Sequence, residues 1–139
     1  MLFSHFWGTF AGFNAVVGHE LIHKKEWMNK LFGTWAYTKF FYSHFLDEHI
    51  LGHHKSVGTP EDPATAHKGE SIYHFVLRSF IFSHYNSFKR EIKRLRKKWG
   101  NDCSIIILIS FNKMTLYLII HAVLLIIIYI FLGWSSVKY

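Results

Sequence analysis

The sequence predicts an all-α protein, a helical integral-membrane bundle with histidine-rich boxes on its cytosolic side. Half of its 139 residues are hydrophobic, yet its formal net charge is +7, a combination typical of apolar membrane spans joined by basic loops. Residues 116–134 carry no formal charge, and a bilayer span needs roughly 20 apolar residues. The 11 histidines include two tight clusters, which favour a metal site.

The first element, residues 1–27, is predicted to be the end of a membrane helix that carries the first histidine box. Residues 1–17 contain no Lys, Arg, Asp or Glu, but they are too few to cross a bilayer, which takes about 20 residues. We expect the helix to continue through His19 and His23 and to emerge at the lysines that follow. The segment lacks the basic start and the small-residue cleavage site of a signal peptide.

Four further segments follow. Residues 28–55 are predicted to form an aromatic-rich interfacial helix that leads into the second box, because aromatic side chains favour the headgroup level. Residues 56–69 contain two prolines and two glycines, which predicts a loop. Residues 70–100 are predicted to be a long, basic cytosolic helix, and residues 105–134 a transmembrane region. The single cysteine, Cys103, excludes an internal disulfide.

Charge predicts the orientation of the protein in its membrane. Between Lys89 and Lys98 there are seven basic residues and one acid, Glu91, and the positive-inside rule assigns such a run to the cytosol. Lys24 and Lys25 indicate the same side for the first box. A nucleic-acid-binding patch is the alternative for the basic run. We predict no nucleic-acid partner, because a membrane span adjoins the run and no recognition fold surrounds it.

The two boxes have the spacing of metal ligands carried on helices. Residues four apart lie on one helix face, so His19 and His23 can point at one centre, as can His49 and His53. His54 is turned by about a quarter of a revolution and can reach a second, neighbouring centre. Imidazole is the commonest metal ligand. Five candidates exceed the needs of one tetrahedral ion, which favours two metal ions in a nitrogen-rich shell.

Nearby polar side chains could support these ligands. Glu20 and Glu48, and less clearly Asp47, could accept hydrogen bonds from imidazole N–H groups. The alternative is that they are ordinary solvated acids. His44 lies four residues before Glu48 and could hydrogen-bond to it, which would make it a supporting residue rather than a ligand.

The first box also fits a different enzyme class. His19-Glu20-x-x-His23 matches the zinc metalloprotease pattern, in which the glutamate is the general base. A membrane zinc protease is therefore one alternative, although the second box supplies more histidines than a single zinc requires. A non-catalytic, truncated membrane paralogue is another alternative.

Residues 19–79 resemble the integral-membrane alkane 1-monooxygenases, or alkane hydroxylases, of the fatty acid desaturase and hydroxylase superfamily. Residues 19–25 resemble the first histidine box of that family, and residues 44–54 resemble its second. The string Thr-Pro-Glu-Asp-Pro-Ala at 59–64 resembles the loop that follows and is the most family-specific match. Residues 69–79 continue the likeness.

The resemblance implies a membrane enzyme with a non-haem di-iron centre, two Fe held almost wholly by histidine. With dioxygen as co-substrate it would hydroxylate the terminal carbon of an n-alkane or a similar fatty chain drawn from the membrane lipid. A rubredoxin or ferredoxin with its reductase would supply electrons. The protein would lie in a plasma membrane or endoplasmic reticulum. By position, the iron ligands would be His19, His23, His49, His53 and His54.

Two further expectations accompany the resemblance. A pocket lined by aromatic side chains would deliver the insoluble chain, and Trp7, Phe10 and Phe13 are the candidates, with ordinary packing or lipid contact as the alternative. The chain is also expected to be an incomplete fragment. It lacks the Glu-His-Tyr-Gly string and the final His-x-x-His-His box of the family, and five ligands are fewer than that family uses.

Overall fold

The computed structural model describes the backbone of residues 2–133 and the side chains of residues 8–131, and it contains only helices, turns and loops in that part of the chain. This confirms the predicted all-α class. The helices, in chain order, are α1 (Leu2–Ile22), α2 (Trp27–Thr38), α3 (Phe45–Glu48), a π-helical turn (His49–His53), α4 (His54–Ser56), α5 (Ile72–Trp99), α6 (Ile105–Ser110) and α7 (Lys113–Leu132).

The segment predicted as one interfacial helix, residues 28–55, is divided by a tight turn after α2. The N–H of Tyr42 donates to the carbonyl of Tyr37, and the N–H of Phe41 donates to that of Thr38. These two bonds form a Schellman motif, which requires a left-handed residue at its centre. Phe41 occupies that position with φ of 57°, where glycine is the usual residue. Because glycine is absent, the sequence carries no obvious sign of the turn.

Helices α1 and α2 cross closely enough that only glycine fits at the contact. A Cβ on Gly33 would lie 2.6 Å from Ile22 Cγ2 and 2.9 Å from the carbonyl oxygen of Gly18. The hydroxyl of Tyr37 donates to the carbonyl of Ala15 at 2.9 Å. Ile22 is buried at this crossing, so the end of α1 that carries the first box is held firmly against α2.

We expect Gly33→Ala to destabilise the protein by about 1–3 kcal/mol, the usual cost of overpacking a tight contact. The thermal unfolding midpoint of the detergent-purified protein measures the effect. Gly8→Ala is the matched control, because a Cβ there meets nothing within 4 Å and alanine favours the helix. Equal midpoints for the two variants would contradict the close crossing.

The chain divides into two compact units, Met1–Ser87 and Phe88–Tyr139. The first unit contains both histidine boxes and the loop that follows them. The second contains the basic end of α5 together with α6 and α7. Helix α5 contributes residues to both units.

Helix α7 has well-defined ends and the length of a membrane span. The side chain of Asn112 accepts a hydrogen bond from the N–H of Met114 at 2.8 Å, and Gly133 ends the helix with φ of 75°. Within residues 2–133, Lys113–Phe131 is the one helix long and apolar enough to cross a membrane, and 11% of it is buried. Trp134, the predicted last residue of the transmembrane region, lies outside the described residues.

Candidate metal centre

The first box lies at the C-terminal end of α1. His19 is in the last turn of the helix, and His23 follows directly after its final residue. Their Nε2 atoms are 3.3 Å apart, as the spacing of four residues predicts. Burial is the main cause that lowers the pKa of His23, and the neighbouring imidazoles of His19 and His54 lower it further.

The second box is a π-helical turn rather than an α-helix. The N–H of His54 donates to the carbonyl of His49, five residues earlier. A π-helical turn brings residues five apart into proximity and is frequent at functional sites. The structure therefore differs from the predicted arrangement: His54, and not His53, directs its Nε2 to within 3.0 Å of His49 Nε2.

Three imidazoles, those of His19, His23 and His49, form a tight triangle of nitrogens, and His54 adjoins one corner of it. The Nε2 atom of His49 lies 2.8 Å from that of His19 and 3.2 Å from that of His23, and the rings of His23 and His54 stack with centroids 5.0 Å apart. Nitrogens bound to one ion at about 2.0–2.1 Å lie roughly 2.9–3.4 Å from each other in octahedral or tetrahedral geometry. The three Nε2 separations among His19, His23 and His49, 2.8–3.3 Å, lie close to that range, so these three side chains fit a single metal ion.

The protonation of His49 suits metal binding. Burial, followed by the four other imidazoles of the boxes, lowers the pKa of His49 to about 4. The ring is therefore neutral near pH 7, and the neutral ring is the form that binds metal. A cluster of imidazoles this close would be strongly repulsive if the rings were protonated.

His53, whose ring stacks on that of His49, is oriented by a carboxylate. Its Nδ1 lies 2.8 Å from Oδ2 of Asp62, and the Asp62 side chain is fully buried. The bond assigns the proton to Nδ1 and leaves Nε2 as the metal-binding nitrogen, the usual arrangement of a carboxylate behind a metal-bound histidine. Burial alone would raise the pKa of Asp62, but hydrogen bonds from Thr65, Ala64 and His53 hold it below its ordinary value.

Sequence reasoning missed Asp62 as a supporting residue. Asp62 entered the sequence analysis only as part of the family-specific string at 59–64, and the predicted supporting carboxylates were all next to the boxes. The available signal was an acid in a turn-rich loop directly after a histidine box, where the chain can fold back.

Arg78 holds the Asp62 loop in place. Its guanidinium forms two hydrogen bonds to Glu70, both under 3 Å, and a third to the carbonyl of Thr65 at 2.9 Å. The bonds from Arg78 are the main cause that lowers the pKa of Glu70. Helix α5 thereby fixes the loop whose carboxylate orients His53.

Arg78→Lys is expected to loosen this loop, because an ammonium lacks the planar fork that contacts Glu70 and Thr65 together. Losing one charge-assisted hydrogen bond corresponds to roughly tenfold faster amide hydrogen exchange in residues 59–65. Exchange measured by mass spectrometry tests this, with Arg96→Lys on an exposed part of α5 as the control. Unchanged exchange in the loop would argue against the clamp.

The other predicted supporting residues lie in different surroundings. Glu20 Oε1 lies 3.4 Å from Nδ1 of His19, on a side chain that is 69% exposed. Glu48 is buried and accepts a hydrogen bond from Ser87 of α5 at 3.1 Å. His44 is also buried, 3.4 Å from the hydroxyl of Ser83, and belongs to the same polar layer against α5.

The predicted channel residues and the observed groove do not coincide. Phe10 and Phe13 are 53% and 69% exposed, and the side chain of Trp7 lies outside the described residues. An open groove of about 310 Å³ lies on the same unit. Its lining residues are Gly12, Ala15, Tyr37, Phe40, Tyr42 and Phe45. The Phe45 ring stacks on His49 with centroids 4.8 Å apart, so the groove reaches the imidazole cluster.

The chain is similar to known proteins over most of its length. The family model described as fatty acid desaturase matches residues 1–139. The alkane 1-monooxygenase of Ectopseudomonas oleovorans is 36% identical over 122 residues, which cover 85% of this chain and 29% of that protein. Alkane 1-monooxygenase 1 of Alcanivorax borkumensis is 35% identical over the same length, with the same coverage.

A less similar relative is named as a component of a different monooxygenase. The hydroxylase component XylM of a Pseudomonas putida xylene/toluene monooxygenase is 31% identical over 83 residues, 59% of this chain and 22% of that protein. The chain thus spans less than a third of the length of these relatives. No solved structure matches it significantly.

Proposed function

The chain belongs to the fatty acid desaturase family, and on that premise we propose that it forms part of a non-haem di-iron enzyme that hydroxylates alkanes or similar aliphatic chains with dioxygen. The observation that carries the proposal is the convergence of three Nε2 atoms from the two boxes, those of His19, His23 and His49, at 2.8–3.3 Å, with the Nε2 of His54 3.0 Å from that of His49. An all-imidazole donor set suits iron as well as zinc. The names of the relatives favour an oxygenase.

The five imidazoles would serve two irons unequally. His19, His23 and His49 surround one position, and His54 adjoins His49. His53 is oriented by Asp62 instead, with its ring 5.4 Å from that of His49. We therefore assign His53 to the second iron. Five ligands are few for two ions. The remaining ligands would come from parts of the enzyme that correspond to the regions of the relatives that this chain does not match. When bound, the irons would activate dioxygen for attack on an unactivated C–H bond.

The protein groups would hold the irons, orient the substrate and exclude water. Asp62 keeps His53 in the tautomer that ligates. The groove lined by Gly12 and Ala15 on one side and by aromatic rings on the other would bind an extended aliphatic chain, because its walls are largely apolar and the small residues leave room. Phe45 would direct the chain end toward His49. These residues replace Phe10 and Phe13 as our channel candidates.

A membrane location and an electron-donating partner complete the proposed function. Lys113–Phe131 would anchor the protein in a membrane, with the histidine boxes on the cytosolic side as the basic residues indicate. The substrate would enter from the membrane lipid, where aliphatic chains partition. Electrons would come from a rubredoxin or ferredoxin with its reductase, since dioxygen chemistry of this kind consumes two electrons for each hydroxylation.

The test is hydroxylation of octane and hexadecane by the membrane-purified protein, supplied with NADH, a rubredoxin or ferredoxin and its reductase. We expect the terminal alcohol, and we expect its formation to require iron and to stop in His49→Ala. His67→Ala is the matched control, because His67 is exposed and lies outside the imidazole cluster. Alcohol formation that survives His49→Ala would contradict the proposal, as would a protein that binds iron fully and hydroxylates neither alkane.

A further inference from the structure

A basic cleft lies on the last three turns of α5, in the second unit. It has a volume of about 680 Å³. Its lining residues are Lys89, Ile92, Lys93, Arg96, Lys97 and Asn101. The four cations follow the spacing i, i+4, i+7 and i+8, which places them on one face of the helix. All four side chains are exposed.

The nearby acid does not neutralise this cleft. Glu91 is buried, accepts two hydrogen bonds from Arg94 at 2.6 and 2.7 Å, and accepts another from the N–H of Lys113. Among the described residues, Lys93, Arg96 and Lys97 have no acidic group within ion-pair distance. Lys93, Arg96 and Lys97 therefore concentrate positive charge that an external anion can balance.

The lining chemistry suits a phosphate group attached to an apolar body. Arg96 offers a planar fork of N–H donors, the geometry that pairs with phosphate oxygens, and the lysines supply flexible point charges. Ile92 and the methylene stems of the lysines give the walls an apolar character. A soluble polyanion would use the charge but not this apolar surface.

Exposed apolar side chains follow the cleft directly in the chain. On α6, Ile105 and Ile106 are 66% and 70% exposed, and the ring of Phe111 packs against Trp99, with centroids 4.7 Å apart. The end of α5 and the residue that follows α6 are thus joined by an aromatic contact, immediately before the candidate membrane-spanning helix α7. Basic residues beside an apolar face and a membrane span are typical of anionic-lipid binding.

We propose that this cleft binds the headgroup of an anionic phospholipid, with the phosphate held by Lys93, Arg96 and Lys97 and the acyl chains against the exposed isoleucines of α6. The proposal is independent of the iron centre, because it uses none of the residues of the first unit. It adds a lipid site, and thus a dependence on lipid composition, that the hydroxylase chemistry does not require.

The test is binding of a fluorescent phosphatidylglycerol to the full chain in neutral detergent micelles, with phosphatidylcholine as the comparison. Each basic residue near an anionic lipid changes the affinity by about fivefold, so K93Q/R96Q/K97Q should weaken phosphatidylglycerol binding on the order of 100-fold and leave phosphatidylcholine binding unchanged. The matched control K25Q/K30Q/K68Q removes the same charge from exposed lysines of the first unit and should bind as the parent does. Helix content by circular dichroism establishes that both variants fold.

Three results would overturn the proposal. The first is equal phosphatidylglycerol affinity for K93Q/R96Q/K97Q and its control. The second is displacement of the lipid by millimolar inorganic phosphate, which would show that the cleft recognises a free anion. The third is loss of binding to an acidic ferredoxin in K93Q/R96Q/K97Q while lipid binding persists, which would assign the cleft to a protein partner.

Discussion

His49→Ala is expected to abolish specific metal binding by the chain. His49 has the central position in the cluster, since its Nε2 lies within 3.2 Å of the Nε2 atoms of His19, His23 and His54. Even partners behind the ligands alter metal affinity by about 10–100-fold, so we expect loss of this ligand to weaken iron binding by more than about 100-fold. Iron titration in competition with a chelator measures the effect.

The control for this experiment is His67→Ala, which removes an imidazole but leaves the cluster intact. It should bind iron as the parent protein does. If both variants lose iron equally, the loss reflects general damage rather than a ligand. If neither loses it, the cluster is not the metal site.

The second large effect is expected from Asp62→Asn. The carboxylate accepts hydrogen bonds from His53, from the hydroxyl of Thr65 and from the N–H of Ala64. An amide has one oxygen, so an NH₂ group would face either His53 and Thr65 together or Ala64 alone. If it faces Nδ1 of His53, the proton moves to Nε2, and Nε2 can no longer ligate. In the other orientation of the amide, its NH₂ group would face the N–H of Ala64, and two donors would repel each other.

Either orientation of the amide disturbs the support of His53, and we expect iron affinity to fall by about 10–100-fold. Glu61→Gln is the matched control, since it makes the same chemical change on the neighbouring, exposed residue of the same loop. Asp62→Asn should also bind fewer irons at saturation if His53 serves the second ion. Identical affinity and stoichiometry in the two variants would show that the carboxylate has no role behind the ligand.

The features that follow from local sequence could be predicted. Absence of charge over residues 116–134 indicated an apolar helix, and the observed candidate span is Lys113–Phe131. The observed span lies a few residues earlier than the uncharged stretch. Its bounds are set by the Asn112 side chain, which caps the start of the helix, and by the backbone of Gly133, which ends it, and not by charge. The spacing of four residues in the first box likewise predicted the observed proximity of His19 and His23.

The arrangement of the second box could not be predicted in the same way. An α-helix and a π-helical turn share a sequence pattern, and the choice between them depends on packing around His49–His53. The extra residue in the turn brings His54 to His49, and His53 then meets Asp62. The contact between His53 and Asp62 in turn depends on Arg78, which holds the loop. Arg78 lies 15 residues beyond Pro63, and its guanidinium approaches the Pro63 carbonyl. Such relations appear only after the chain has folded.

The metal content of the purified protein tests the proposed iron centre most directly. Iron and zinc per chain are measured by mass spectrometry after purification from membranes, together with X-ray absorption at the iron edge. We predict iron in a shell dominated by imidazole nitrogen, with the imidazole signal lost in His49→Ala and kept in His67→Ala. A protein that retains one zinc and no iron would contradict this prediction.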